Sequence, residues 1–120
     1  MKRKILLVDD EIDLRVVTSL GLKNAGYEVF EAADGRQALD LARSKMPDLI
    51  ILDIFLPGVN GDEVAKTLKN DENLKRIPII LISAFSSALE ERFGKCGAES
   101  SLAKPFAFAE LVSTIKNHIG

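Results

Sequence analysis

The chain has 120 residues, of which 47% are hydrophobic and 28% charged, with a formal net charge of -2. These values are typical of one ordinary globular domain and exclude a general electrostatic attraction to nucleic acid or anionic membranes. No apolar run approaches a membrane span, residues 1–8 are too short for a signal peptide, and Cys96 is the only cysteine. We therefore expect a cytoplasmic protein without an internal disulfide.

Short apolar runs alternate with segments of helical spacing along the whole chain. In chain order, the pattern predicts strands at residues 5–8, 27–32, 49–52, 77–82 and 100–103. Between and after them it predicts helices at 12–25, from 35 to a point before Pro47, at 61–68, 86–96 and 108–119. This alternation predicts an α/β fold, a three-layer (βα)5 arrangement in which helices cover both faces of a doubly wound parallel five-stranded sheet.

Three acidic residues follow two of the predicted strands. Asp9 and Asp10 come after residues 5–8, and Asp53 comes after residues 49–52. Ligands of open α/β sheets bind outside the carboxyl ends of the strands, so neighbouring strands would bring these acids together. Two carboxylates about 4 Å apart repel by roughly 4 kcal/mol at an effective dielectric near 20, which favours a cation between them.

An oxygen-only set of ligands without histidine or thiol favours a hard divalent ion such as Mg²⁺. Each acid also has a simpler explanation. Asp9 and Asp10 are equally typical of a helix start, where acids are favourable, and Asp53 is typical of a turn. Their joint position at strand ends is what favours a metal site.

Two further polar residues end strands on the same side of the predicted sheet. Ser83 follows residues 77–82, and Lys104 follows residues 100–103. A hydroxyl and an ammonium beside a metal-bound carboxylate would hold the oxygens of a phosphoryl group, with Asp53 as the nucleophile that forms an acyl phosphate. Alternatively, Ser83 caps the following helix and Lys104 is a surface lysine.

From end to end, the chain resembles the receiver domain of two-component response regulators, the CheY-like family. The matching segments are residues 5–11, 34–39, 47–53, 56–61, 83–84 and 104–106. The resemblance implies the strand order 2-1-3-4-5 of flavodoxin and CheY. It also implies that residues 1–120 are a single receiver domain, free-standing or cut from a longer response regulator.

The resemblance implies that Asp53 accepts a phosphoryl group from the phosphohistidine of a sensor histidine kinase or a histidine phosphotransfer protein. It implies that Asp10, Asp53, the backbone carbonyl of Phe55 and, often through water, Asp9 hold Mg²⁺, with Mn²⁺ as a possible substitute. By this resemblance the protein is not an enzyme on other substrates, because it catalyses only the gain and loss of its own phosphoryl group.

The same resemblance implies that Ser83 and Lys104 contact the phosphoryl oxygens and that the Lys104–Pro105 peptide is cis. Phosphorylation would move Ser83 and change the surface of the fourth helix and fifth strand, to which a downstream protein or output domain responds. A homodimer through the fourth helix, fifth strand and fifth helix is possible. No direct nucleic acid binding by this domain and no membrane contact are expected.

Three positions depart from the family pattern. Ser101 stands where many receivers carry a switch aromatic, so aromatic-coupled signalling is in doubt. Phe55 and Phe85 line the expected path of the water that hydrolyses the acyl phosphate, and Ala84, the residue before Phe85, borders the same path. We hypothesise that the two rings slow this hydrolysis; the alternative is that they are ordinary partner-contact surface.

Three other functions compete with a phosphorylated switch. A degenerate receiver would act as a phosphorylation-independent protein-binding module, which the loss of an aromatic at Ser101 keeps open. A hydrolase of the haloacid-dehalogenase type needs a second acid where Phe55 stands. A flavodoxin-like flavin binder needs a Ser/Thr/Gly-rich loop after the first strand, where this chain has residues 9–11, all acidic.

Overall fold

The computed structural model describes residues 2–120, which form a five-stranded parallel sheet with helices on both faces. The strands are β1 (Lys4–Val8), β2 (Glu28–Ala32), β3 (Leu49–Asp53), β4 (Ile79–Ser83) and β5 (Ser100–Ala103). The helices are α1 (Ile12–Asn24), α2 (Gly35–Lys45), α3 (Gly61–Lys69), α4 (Ser86–Cys96) and α5 (Phe108–Ile119). Among these residues, no helix has the length and apolarity needed to cross a membrane.

The strand order is β2-β1-β3-β4-β5, and every adjacent pair is parallel. This confirms the predicted fold class and the strand order implied by the family resemblance. All residues of β3 and β4 are buried, as expected for central strands covered on both faces. The sheet therefore fixes the positions of the residues at the ends of β3 and β4 more firmly than those of any surface loop.

Successive side chains of the central strands enter two separate hydrophobic cores. Leu6 and Leu52 belong to the core covered by α2, α3 and α4, whereas Leu7 and Ile51 belong to the core covered by α1 and α5. This alternation follows from the two-residue period of a strand. Both cores end at the carboxyl edge of the sheet, which is where the polar side chains begin.

Only part of the apolar surface of α1 is packed. Leu14, Val17, Leu20, Leu22 and Ala25 keep helical spacing, but the buried residues of the helix are Thr18, Ser19 and Leu22. Val17 is 68% exposed and Leu20 is 56% exposed. Apolar residues occur on more than one face of this helix, so their spacing predicted the helix but not the side that packs.

Phe106 and Phe108, on either side of the start of α5, have different surroundings. Phe106 is packed against the core under α1 and α5, whereas Phe108 is 41% exposed. The Phe108 ring lies against Gly21 of α1, where an added Cβ would be 2.7 Å from Cε1 of the ring. Phe108 thus extends the exposed apolar surface of α1, formed by Ile12, Val16, Val17 and Leu20.

Candidate functional site

The candidate site lies at the carboxyl edge of the sheet, where four strands deliver one polar side chain each. Asp9 follows β1, Asp53 is the last residue of β3, Ser83 is the last residue of β4, and Lys104 follows β5. Asp53 pairs in register with Ile82, and Ser83 pairs with Ala103. Parallel strands end on the same edge, so residues distant in sequence converge here.

The three predicted acids come together. One carboxylate oxygen from each of Asp9, Asp10 and Asp53 lies within 4.8 Å of the other two. Asp9 and Asp53 are buried, whereas Asp10 is exposed to solvent. Three oxygen donors from two strands, one of them open to water, fit a hard divalent cation that keeps part of its water shell.

Lys104 contacts the buried part of this cluster. Its Nζ lies 2.8 Å from Oδ2 of Asp53, 2.9 Å from Oδ2 of Asp9 and 3.1 Å from Oε1 of Glu11. The side chains of Lys104, Asp9 and Asp53 are at most 8% exposed, so these three charges interact with little screening, whereas Glu11 is 61% exposed. Glu11 was not predicted as a partner of Lys104; the only sequence signal was a third consecutive acid.

These contacts shift two pKa values. Burial raises the pKa of Asp53 from 3.8 to about 6; the hydrogen bond and charge of Lys104 oppose this rise, and the charge of Asp9 adds to it. Burial acts to lower the pKa of Lys104, but hydrogen bonds to Asp53 and Asp9 outweigh it, so this pKa is raised. Lys104 therefore stays protonated. Because two buried carboxylates share this one ammonium, it only partly offsets the effect of burial on the charge of Asp53.

A cavity of about 210 Å³ opens in front of Asp53. Its lining consists of Asp10, Glu11, Asp53, Phe55, Ser83, Ala84, Phe85 and Lys104. A wider depression of about 580 Å³ lies between α2 and the loop after β3. We assign the site to the smaller cavity because it contains the clustered acids and the lysine.

Ser83 lies at the edge of the cavity and contacts the residue before α4, although no side chain caps that helix. Its Oγ accepts a hydrogen bond of 3.1 Å from the backbone N–H of Phe85, the residue just before α4. The side chain also lines the cavity. Because the backbone bond uses a lone pair of the hydroxyl, the hydroxyl hydrogen stays free to donate into the cavity.

The two aromatic rings predicted near the site contact each other. The rings of Phe55 and Phe85 are edge-to-face, with centroids 5.4 Å apart, and the side chains are 39% and 60% exposed. The Arg92 guanidinium lies over the Phe55 ring, with Cζ 5.1 Å from its centroid. This contact could not be predicted from the sequence, because Arg92 is an ordinary charged residue of a helix.

Gly61 allows α3 to begin directly behind the site. Its N–H donates to the carbonyl of Ile54 at 2.6 Å. A Cβ at this position would lie 1.8 Å from the backbone oxygen of Asp53, so only glycine fits. The sequence predicted that a helix begins at residue 61, but not this contact.

The remaining predicted positions lie around the same edge. The Lys104–Pro105 peptide is cis. Ser101 is exposed on β5, opposite Leu81 of β4. Its small side chain leaves the place of the expected aromatic without a ring.

The chain is similar to a named family along nearly all of its length. A family model described as the response regulator receiver domain matches residues 5–116. A curated relative, the polar-differentiation response regulator DivK of Brucella ovis, is 40% identical over 122 residues, which cover 100% of this chain and 98% of the relative.

Solved structures give the same result. A putative response regulator from Chloroflexus aurantiacus superimposes with a TM-score of 0.92 at 36% identity, covering 99% of this chain and 98% of that one. The receiver domain of a sensor histidine kinase from Pseudomonas aeruginosa superimposes with a TM-score of 0.93 at 34% identity, covering 100% and 99%. That structure has a magnesium ion coordinated in its active site cleft.

Proposed function

The chain belongs to the response regulator receiver domain family, and on this premise we propose that Asp53 accepts a phosphoryl group from a phosphohistidine. The donor is a sensor histidine kinase or a histidine phosphotransfer protein. The observation that carries the proposal is the burial of Asp53 beside Lys104 and two further acids, at the base of an open cavity. Residues 1–120 act as one receiver domain, and a cytoplasmic location stays a prediction.

The reaction needs an ionised Asp53. A carboxylate oxygen of Asp53 attacks phosphorus, the phosphorus–nitrogen bond of the phosphohistidine breaks, and its electron pair returns to the imidazole nitrogen. Lys104, at 2.8 Å from Asp53, and the hydroxyl of Ser83 are in position to donate to the phosphoryl oxygens. The product is an acyl phosphate on Asp53, whose later hydrolysis ends the signal, and no other substrate is turned over.

We propose Mg²⁺ as the cofactor, with Mn²⁺ as a possible substitute. The ligands are Asp9, Asp10, Asp53 and the backbone carbonyl of Phe55. The all-oxygen donor set and the uncompensated negative charge around Asp53 support this choice. When bound, the ion offsets negative charge on the transferring phosphoryl group.

Phosphorylation would redistribute the contacts of Lys104. In the structure described here, Nζ is shared among Asp53, Asp9 and Glu11. A phosphoryl group adds about -1.5 to -2 charges at this point and would draw Lys104 and Ser83 toward it. Because Lys104 follows β5 and Ser83 precedes α4, we propose that the surface of α4, β5 and α5 carries the signal to a downstream protein, an output domain or a second copy.

We also propose that Phe55, Phe85 and Ala84 set the lifetime of the acyl phosphate. All three line the cavity in front of Asp53. Apolar side chains at this opening offer no hydrogen bond to an attacking water molecule. The acyl phosphate would therefore last minutes or longer.

A phosphorylation-independent binding module is the second candidate function. The exposed Ser101 favours it, because no aromatic side chain is present at this position to report the state of the site. The retained acids, hydroxyl and lysine favour the first candidate.

One experiment separates the two candidates. The protein is incubated with acetyl phosphate, with and without Mg²⁺, and the mass of the intact chain is measured. We expect a gain of one phosphoryl group only with Mg²⁺, and none in Asp53→Asn. A wild-type chain that gains no mass under any condition would favour the binding module.

A further inference from the structure

Two residues contact the Phe55 ring: Phe85, which also lines the cavity, and Arg92, which does not. The ring meets Phe85 edge-to-face at 5.4 Å, and the Arg92 guanidinium lies over it at 5.1 Å. Phe55 is 39% exposed and stands on the loop after β3, so the cores do not hold its ring. The orientation of the ring therefore depends on these two contacts from the α4 side of the cavity.

Arg92 is itself held by an acid of another helix. Its Nη1 donates to Oδ1 of Asp62 at 3.3 Å. Asp62 lies in the first turn of α3, and its side chain is only 11% exposed. If the guanidinium moved away, the largely buried Asp62 carboxylate would lose its positive partner, which favours the paired arrangement.

Arg92 does not act on the phosphoryl group directly. The cavity in front of Asp53 is lined by Phe55 and Phe85, and within the described residues Arg92 is not part of that lining. The contact of its guanidinium with the Phe55 ring links Arg92 to that lining.

Resting on the function proposed above, we propose that Arg92 is a positioning residue that prolongs the life of the acyl phosphate. Anchored by Asp62, it keeps the Phe55 ring across the opening of the cavity and restricts the entry of water. In the hydrolysis that it slows, a water oxygen bonds to phosphorus and the bond from phosphorus to Asp53 breaks. Asp53 leaves as a carboxylate, and the water's proton passes to the phosphate or to solvent.

The experiment compares rates of phosphate loss. Wild type and variants are phosphorylated with acetyl phosphate and Mg²⁺ and freed of donor, and the decay of the acyl phosphate is followed by intact mass. Arg92→Met keeps the apolar stem and removes the guanidinium. We expect its acyl phosphate to decay about two- to fivefold faster. This is the factor by which an exposed cation–π contact raises the population of one ring orientation over the others.

Two further variants test the anchor and the specificity of the effect. Asp62→Asn keeps the shape of the side chain but removes its charge, so we expect a smaller acceleration in the same direction. Lys95→Ala removes another cation from the exposed surface of α4 and is expected to leave the decay rate unchanged.

A double variant distinguishes positioning from a purely structural role. If Arg92 acts through the ring, Arg92→Met in a Phe55→Leu background should produce no further acceleration. In parallel, the Nε–H resonance of Arg92 should show a ring-current shift in wild type that disappears in Phe55→Leu. This resonance can be measured without phosphorylation.

Three results would overturn the inference alone: equal decay rates in wild type and Arg92→Met, an undiminished Arg92→Met effect in the Phe55→Leu background, or the same Arg92 resonance with and without the Phe55 ring. A wild-type protein that forms no acyl phosphate would instead overturn the proposed function, and the lifetime inference with it.

Discussion

At the scale of single residues, Asp53 is the acid whose ionised form is disfavoured by its surroundings. It is buried beside Asp9, and its pKa of about 6 lies above its ordinary value of 3.8. The folded state therefore binds more protons than the unfolded state between these two pH values. By linkage, this group makes the metal-free protein less stable as pH rises through that range.

We expect the free energy of unfolding in EDTA to fall between pH 4 and 6.5, by at most about 3 kcal/mol from Asp53, because one pKa unit corresponds to 1.36 kcal/mol. Asp53→Asn should lack this part of the pH dependence. The measurement is urea unfolding of both proteins across this range. Parallel stability curves would contradict the shifted pKa.

The proposed lifetime of the acyl phosphate also depends on individual side chains, the rings of Phe55 and Phe85. Replacing both rings, as in the Phe55→Asn, Phe85→Ala double variant, opens the cavity and offers a polar side chain to an incoming water molecule. We expect faster loss of phosphate than in wild type, measured by intact mass after removal of the donor. An unchanged rate would indicate that the rings are only partner-contact surface.

At the scale of elements, Lys69 joins α3 to the segments that begin β4 and β5. Its Nζ donates to the backbone oxygens of Lys75 and Ile77, both at 3.0 Å, and pairs with Glu99 at 2.6 Å. The other oxygen of Glu99 accepts the N–H of Ile79. We expect Lys69→Met to lower the free energy of unfolding by about 1–3 kcal/mol, because several acceptors lose one partner.

Lys66→Met is the matched control on the same helix. Lys66 pairs with Glu63 at 3.4 Å, and both side chains are largely exposed. Exposed pairs of this kind contribute about 0.5 kcal/mol or less. Equal losses in the two variants, measured by urea unfolding, would show that the Lys69 contacts have no special role.

The exposed apolar face of α1 begins immediately after the acids of the site. Val17 is 68% exposed there, so a charge at this position leaves the cores intact. If a protein donor docks on this face, Val17→Asp should slow phosphorylation by its kinase and leave the rate with acetyl phosphate unchanged. Thr67→Asp, on α3 and exposed, should alter neither rate, and equal kinase rates in all three proteins would contradict docking here.

At the scale of the whole molecule, the acids of the site come from two separate segments: Asp9 and Asp10 follow β1, and Asp53 ends β3. Unfolding separates Asp9 and Asp10 from Asp53, so an ion held by all three binds the folded state more strongly. Mg²⁺ at 100 times its dissociation constant should raise the free energy of unfolding by about 2.7 kcal/mol. Thermal unfolding should show a higher Tm with Mg²⁺, its reversal by EDTA, and no such response in Asp10→Asn.

Asp40→Asn serves as the control for this measurement, since Asp40 is an exposed acid of α2 outside the cluster. It should respond to Mg²⁺ as wild type does. A response lost equally in Asp40→Asn and Asp10→Asn would point to general screening by salt.

The sequence predicted the architecture because β3 and β4 are continuous apolar runs that end at polar residues. Once the strands were ordered, Asp9, Asp53, Ser83 and Lys104 could only meet at one edge. The contacts of Arg92 with Phe55 and Asp62 were beyond this reasoning. They join residues 30 positions apart (Asp62 and Arg92) and 37 apart (Phe55 and Arg92), through side-chain directions that periodicity does not encode.

The packed side of α1 could not be predicted from its spacing either. A helix with apolar residues on several faces has no single preferred orientation in its sequence, so the neighbouring elements decide. Here the small side chains of Thr18 and Ser19 face inward, and larger apolar ones remain in solvent.

The close approach of Gly61 to Asp53 also limits how this protein can be redesigned. A methyl group at residue 61 would meet the main chain of Asp53, so every library that varies the loop after β3 must leave this position untouched. Substitutions are better tolerated at Phe55 and Phe85, whose side chains border open water at the mouth of the cavity. They can be exchanged without moving the strand beneath them.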